Sequence, residues 1–110
     1  MKNIVLSTLF CLLTLPALAN CDVYLQKGLH YTYGLYGKAE DAQKAAKWFK
    51  KGAKRGCDQS QYNLGVCYEN GTGVEKDFLK AAYWYGKAAI QGMPEAQCAL
   101  GKYHLYDDGV

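Results

Sequence analysis

The sequence predicts an all-α fold, a short right-handed α-solenoid of about two and a half helix-turn-helix repeats. Three observations predict it. The string Lys44-Ala45-Ala46-Lys47-Trp48-Phe49 returns 36 residues later as Lys80-Ala81-Ala82-Tyr83-Trp84-Tyr85. The same offset carries Gly56 onto Gly92, Gln61 onto Gln97 and Leu64-Gly65 onto Leu100-Gly101. Between these markers apolar residues recur at the spacing of one helix face. A helical hairpin cannot bury its apolar face alone, so tandem hairpins stack into one continuous core.

The elements follow in chain order. Residues 1–19 read as a cleaved secretory signal: Lys2 gives a positive start, Ile4 to Leu15 an apolar run, Pro16 a break, and Ala17-Leu18-Ala19 a small-x-small cleavage site. The run is short for a membrane span. A lipid anchor on Cys21 is the second reading, opposed by Asn20, a poor fit for the position before a lipidated cysteine. Residues 20–110 then form the repeat domain, with repeats at about 21–56 and 57–92 and a partial one at 93–110. The first repeat shows itself in Gly28-x-x-Tyr31-x-x-Gly34, which matches Gly65-x-x-Tyr68-x-x-Gly71 at a displacement of 37. In the second, a helix from Gln59 to Glu69 is expected, with Asp58 as N-cap and Gln61 completing a capping box. Asn70-Gly71-Thr72-Gly73 ends it with glycines suited to a left-handed backbone. Asp77 caps the next helix, which runs to about Ile90; Gln91-Gly92 stops it, and Pro94 suits a first helical turn.

Ala45, Ala46 and Ala53, like Ala81, Ala82 and Ala89, place small side chains on one helix face, where a neighbour can approach closely. Gly65 and Gly101 do the same from the facing helix. Trp48, Phe49, Trp84 and Tyr85 are expected to fill the gaps between repeats. The last helix, carrying Leu100, Tyr103 and Leu105, lacks a hairpin partner in this register. It is expected to offer an open apolar edge to another chain or to a second copy.

Export gives the cysteines their meaning. After Cys11 leaves with the signal, Cys21, Cys57, Cys67 and Cys98 remain, and four cysteines in a small exported domain suggest two disulfides. Cys57 and Cys67 lie about 15 Å apart along one helix, beyond bonding reach. The repeat register puts Cys21 beside Cys57. Cys98 falls five positions from the Cys67 equivalent, a turn of about 140° that suits facing helices. The expected pairs are Cys21–Cys57 and Cys67–Cys98.

The pattern Leu64-Gly65-x-x-Tyr68-x-x-Gly71-x-Gly73-Val74-x-x-Asp77-x-x-x-Ala81-x-x-Trp84-Tyr85-x-x-Ala88-Ala89-x-x-Gly92 resembles the Sel-one-like repeat, a relative of the tetratricopeptide repeat. The resemblance covers nearly all of residues 21–110 and is weakest in 21–40, where Gly28 lacks its preceding leucine. It implies a small secreted bacterial protein with a repeat scaffold that binds other proteins. Cysteine-rich members bridge the two helices within a repeat; this chain has no cysteine on its second helices, so that pattern does not carry over. Some of those members act as β-lactamases or penicillin-binding proteins, but no catalytic residue of theirs matches a position here.

Residue chemistry points the same way. The chain has 110 residues and a net charge of +3, too small for a dinucleotide-binding or barrel enzyme and too mildly basic to argue for nucleic acid. Ser60 reads as a helix-start residue rather than a nucleophile, and His30 and His104 as packing or rim residues. No metal-ligand spacing and no cofactor motif occurs. The stripe Lys44, Lys47, Lys51, Lys54, Arg55 reads as a solvated convex surface, with an acidic partner or an anionic envelope surface as the alternative. Ten tyrosines are more suggestive. Tyr31, Tyr68 and Tyr85 belong to the repeat framework, while Tyr33, Tyr36, Tyr83 and Tyr106 fall off it. The candidate protein-binding set is therefore Tyr33, Tyr36, Tyr83, Tyr103, Tyr106 and Leu105. The function expected is a periplasmic or secreted protein-binding module of scaffold, host-interaction or toxin-immunity type, without stable membrane insertion and without catalytic residues. β-Lactam hydrolysis is the alternative.

Overall fold

The structure, a computed structural model, describes residues 20–37 and 39–109, with side chains described as far as Tyr103. The expected leader lies outside the described residues, as do the side chains of His104, Leu105 and Tyr106. The described residues form five α-helices and no strand: α1 at 20–33, α2 Ala42–Lys54, α3 Asp58–Asn70, α4 Phe78–Ile90 and α5 Pro94–Gly109. Helices α1/α2 and α3/α4 are the two hairpins. α3 packs against both α2 and α4, and α5 packs against α4.

The boundaries come from local chemistry. Asp41 and Asp77 hold extended backbone and accept the amide N–H of Lys44 at 3.1 Å and of Lys80 at 3.0 Å, so each satisfies an orphan donor at the start of a second helix. Gly71 and Gly73 turn the chain out of α3 at φ 71° and 74°. The junctions between hairpins are three residues each, with Gly56 and Gly92 at φ 88° and 94°.

The start of α3 departs from the expected capping box. Cys57 is the N-cap and offers no side-chain bond; Asp58 lies inside the first turn, where its carboxylate accepts only the neighbouring Gln59 N–H at 2.7 Å. The helix starts a residue earlier than expected because the Cys57 carbonyl already accepts the Gln61 N–H at 2.9 Å, as the Met93 carbonyl accepts that of Gln97 at 3.1 Å in the next repeat; the Cys57 side chain is bonded to Cys21. Gln61 turns away from the cap. Its side-chain amide donates to the Ala53 carbonyl at 3.2 Å, and its repeat equivalent Gln97 donates to Ala89 at 3.2 Å. Each glutamine thus latches the start of one repeat onto an end carbonyl of the helix before it.

The core joins Ala45, Ala46, Phe49 and Ala53 of α2 to Leu64, Cys67 and Tyr68 of α3 and Ala81 and Tyr85 of α4. The large aromatics meet the expectation in part. Phe49 and Tyr85 pack inside their own hairpins, against Gly28 and Gly65, and also face the next repeat, Phe49 beside Cys67 and Tyr85 with its ring 6.2 Å from Tyr103. A Cβ at Gly65 would lie 2.7 Å from the Tyr85 ring, so glycine is required for that approach. Gly101 faces no atom within 4 Å. Trp48 and Trp84 are half-buried, Trp48 stacking on Tyr24 of α1 at 6.2 Å. Ala46 and Ala53 are buried on α2, which packs against α3, whereas Ala82 and Ala89 stay half-buried on α4, which packs against α3 and α5.

Candidate functional site: a groove between the first helices

An open groove of about 300 Å³ lies between the C-terminal half of α1 and the middle of α3, with α2 as its floor. Phe49, Ala45, Val66 and Cys67 make its base, Tyr31 and Tyr33 one wall, Asn63 the other, and Glu40 and Asp41 an acidic end. Asp41 is committed to its capping bond. The Lys44 ammonium sits 5.5 Å from the centre of the Tyr31 ring. Such a lining suits an apolar side chain that enters beside polar or charged neighbours.

The repeat register explains why the groove exists. Cys67 corresponds, 36 residues on, to Tyr103. Tyr103 occupies the next inter-repeat position, its ring 6.2 Å from Tyr85 and 6.2 Å from Phe78. There the aromatic side chain fills the space that a cysteine leaves empty between α1 and α3. Tyr85 donates to a Glu69 carboxylate oxygen at 2.7 Å, and burial, then that bond and the carboxylate's charge, push its own ionisation far up. The Tyr103 hydroxyl is buried without a hydrogen-bond partner; burial, with the charge of Glu69 behind it, raises its pKa to about 12.

The candidate residues divide between two faces. Tyr33 and Tyr36 stand at the end of α1 and in the loop after it, 64% and 82% exposed, and Tyr33 lines the groove. Tyr36 holds φ 55°, a left-handed backbone that costs a tyrosine energy, while its ring leans on His30 at 4.7 Å between centroids. Tyr83 is exposed on the outer side of α4, far along the chain from that pair. Tyr103 is packed into the stack, so it is not a free contact. Tyr106 and Leu105 lie outside the described side chains. Sequence reasoning missed the base of the groove, Phe49 and Cys67 above all; the cysteine standing where the next repeat has a tyrosine was the available signal.

The cysteines pair in part. Cys21 and Cys57 form a disulfide with Cα atoms 5.5 Å apart, joining the start of α1 to the α2–α3 junction. The expected Cys67–Cys98 pair does not form. Cys67 is buried on the side of α3 that meets α2, whereas Cys98 is exposed on α5. The five-position offset turns one thiol toward the preceding repeat and the other toward solvent, instead of toward each other. Burial raises the Cys67 thiol to about 11.

Ser60 is sealed from solvent, and its hydroxyl has no hydrogen-bond partner; it packs against Gly52, where an added Cβ would clash with the hydroxyl and lie 2.7 Å from the Ser60 Cβ. A nucleophile needs an adjacent base and a route for substrate, and Ser60 has neither. Among the described residues no cluster of His, Cys, Asp and Glu could hold a metal ion, and no helix is long and apolar enough to cross a membrane.

Comparison with known proteins gives the frame for this geometry. The Sel1 repeat pattern matches residues 28–57, 58–93 and 94–110. A Sel1 repeat protein from Oxalobacter formigenes has a crystal structure that superposes with a TM-score of 0.72 at 35% identity, covering 74% of this chain and 61% of that one. The crystal structure of c5321, described as a protective antigen of uropathogenic Escherichia coli with an SLR fold, also superposes at 0.72, with 37% identity over 81% of this chain and 18% of its own. A stretch of 37 residues, 34% of this chain, is 49% identical to the DAP3-binding cell death enhancer 1 of Rattus norvegicus, of which it spans 7%. The chain thus spans less than two thirds of each of these relatives.

Proposed function

Because the chain belongs to the Sel1 repeat family, whose repeats generally mediate protein interactions, we propose that it is an exported protein-binding module that grips its partner in the α1/α3 groove. The observation that carries this reading is the groove itself, an aromatic-walled opening of about 300 Å³ with the 64% exposed Tyr33 in its wall. The partner supplies an apolar side chain to the Phe49–Cys67 base and polar groups to the tyrosine hydroxyls. Export is supported by the Cys21–Cys57 disulfide, which suits an oxidising compartment, and by the leader-like residues 1–19. Scaffold, host-interaction and toxin-immunity roles all employ a surface of this kind.

The test is a photo-crosslinking amino acid at position 33 in the producing cell, followed by identification of the captured protein and titration of the purified pair. Cys67→Tyr fills the groove as Tyr103 fills the next one. It is expected to weaken the purified complex at least tenfold while leaving the helical spectrum intact. Unchanged affinity in that variant removes the groove from the interface.

A further inference from the structure

The second helices carry a segregated surface that the groove does not use. Residues 42–57 and 78–92 hold eight cations and no acid, although the chain has 10 acidic residues; all of those lie on first helices, in loops or at helix caps. The 36-residue register places the exposed positions of α2 and α4 on the same outer side, but with different chemistry. Lys47 corresponds to Tyr83, Lys54 to Ile90 and Gln43 to Leu79. Leu79 and Ile90 are 85% and 87% exposed, with Lys80 and Lys87 between them on the same helix. At the edge of the α2 row, the ammonium groups of Lys27 and Lys51 each lie 4.4 Å from the centre of the Trp48 ring, and no described carboxylate pairs with them.

From this juxtaposition we propose that the outer face of α2 and α4 docks on an anionic phospholipid bilayer. The lysine row of α2 lies over the headgroups, and Leu79 and Ile90 of α4 enter the headgroup boundary. Charge complementarity selects the occupant. A one-sign field spread along two helices, each about 17 Å from first to last cation or apolar tip, matches a continuous negative surface. Leu79 and Ile90 stand proud of the helix and need no pocket in what they meet, as an interfacial anchor does and a protein hot spot does not. Lysines beside them reach outward to phosphates while their stems cover apolar surface. The proposal is independent of the groove, which opens between α1 and α3.

Co-sedimentation with vesicles tests it. The oxidised chain from Asn20 onward is the right material, since every described core contact lies between residues 25 and 103 and residues 1–19 would bring an apolar run of their own. Vesicles of three parts phosphatidylcholine to one part phosphatidylglycerol are expected to bind the protein at low salt at least tenfold more tightly than pure phosphatidylcholine. Binding is expected to fall steeply as salt shortens the screening length. Lys47→Glu with Lys54→Glu should abolish it. Leu79→Asn with Ile90→Asn should weaken it at least fivefold, with helical content and partner binding in the groove unchanged. Equal binding to neutral vesicles, or binding indifferent to the α4 pair, overturns the proposal. So does failure to bind anionic vesicles under conditions where soluble polyglutamate is bound, which would assign the surface to an acidic protein.

Discussion

Tyr36 stands where the second repeat has Gly73, and both residues adopt left-handed backbone, φ 55° against 74°. For tyrosine that conformation costs roughly 1–2 kcal/mol, part of which a glycine would return to its more flexible unfolded chain. Tyr36→Gly is therefore expected to raise stability by up to about 1 kcal/mol in urea denaturation. Glycine is required for packing at position 65 but not at position 101, since Gly65 faces the Tyr85 ring and Gly101 faces no atom within 4 Å. Gly65→Ala should cost about 1–3 kcal/mol through overpacking. Gly101→Ala, inside a helix with open space beside it, should be neutral or gain up to about 1 kcal/mol. The same substitution at equivalent positions thus carries opposite signs. Titration adds a second residue-scale test. Burial raises Cys67 from 9.0 to about 11 and Tyr103 from 10.0 to about 12. Both groups are neutral at pH 7 and release the proton less readily in the fold than in the unfolded chain. Their contribution to stability is complete below pH 9 and is lost as pH rises through 11 and 12. The denaturation midpoint should be flat on the approach to pH 9 and fall above it, more gently in Cys67→Ala.

At the scale of the element, the two second helices begin alike and the helix between them does not. Asp41 and Asp77 each satisfy a backbone donor three residues on, so Asp41→Ala and Asp77→Ala should each cost about 1 kcal/mol. Asp58→Ala removes a bond only to the adjacent residue, and its loss should stay within a few tenths of a kcal/mol, the scale of a charge near a helix end. Thermal denaturation of the three variants separates them. These caps also mark where sequence reading succeeds. Asp41, Asp77, Gly71, Gly92 and Pro94 act through local backbone chemistry, and local chemistry is written in adjacent residues. The repeat spacing likewise made the helical stack and the Cys21–Cys57 pair legible. The exact residue at which α3 starts and what a side chain faces were not legible. Cys57 rather than Asp58 takes the cap because its carbonyl already accepts the first helical bond, from Gln61, and Cys67 and Cys98 stay apart because facing depends on how neighbouring helices rotate about one another. The groove was hidden for the same reason. It is a vacancy created by Cys67 against Phe49, and a vacancy appears only when the helices are assembled.

Across the whole molecule, a stack of repeats has contacts only between neighbours, so its stability is a sum of local terms rather than one indivisible quantity. α1 is the first described helix of this stack and is joined to the rest by Gly28 against Phe49, by Leu25 and Leu29 against the core, and by the disulfide. The bridge closes a loop across a sequence separation of 36 residues, worth about 4 kcal/mol in the chain-entropy model. The α3/α4 hairpin has no covalent tie of its own and rests on Leu64, Tyr85 and Ala81. Reduction should therefore act unevenly. Hydrogen exchange with and without reductant is expected to show α1 losing protection first, while α3 and α4 keep theirs under conditions where the protein remains largely helical. Because α1 forms one wall of the groove, partner binding should disappear at the same reductant concentration as α1 protection, before the main thermal transition is lost. Uniform loss of protection in all five helices would instead show that two and a half repeats unfold as a single cooperative unit, and that the bridge secures the entire stack rather than its first helix.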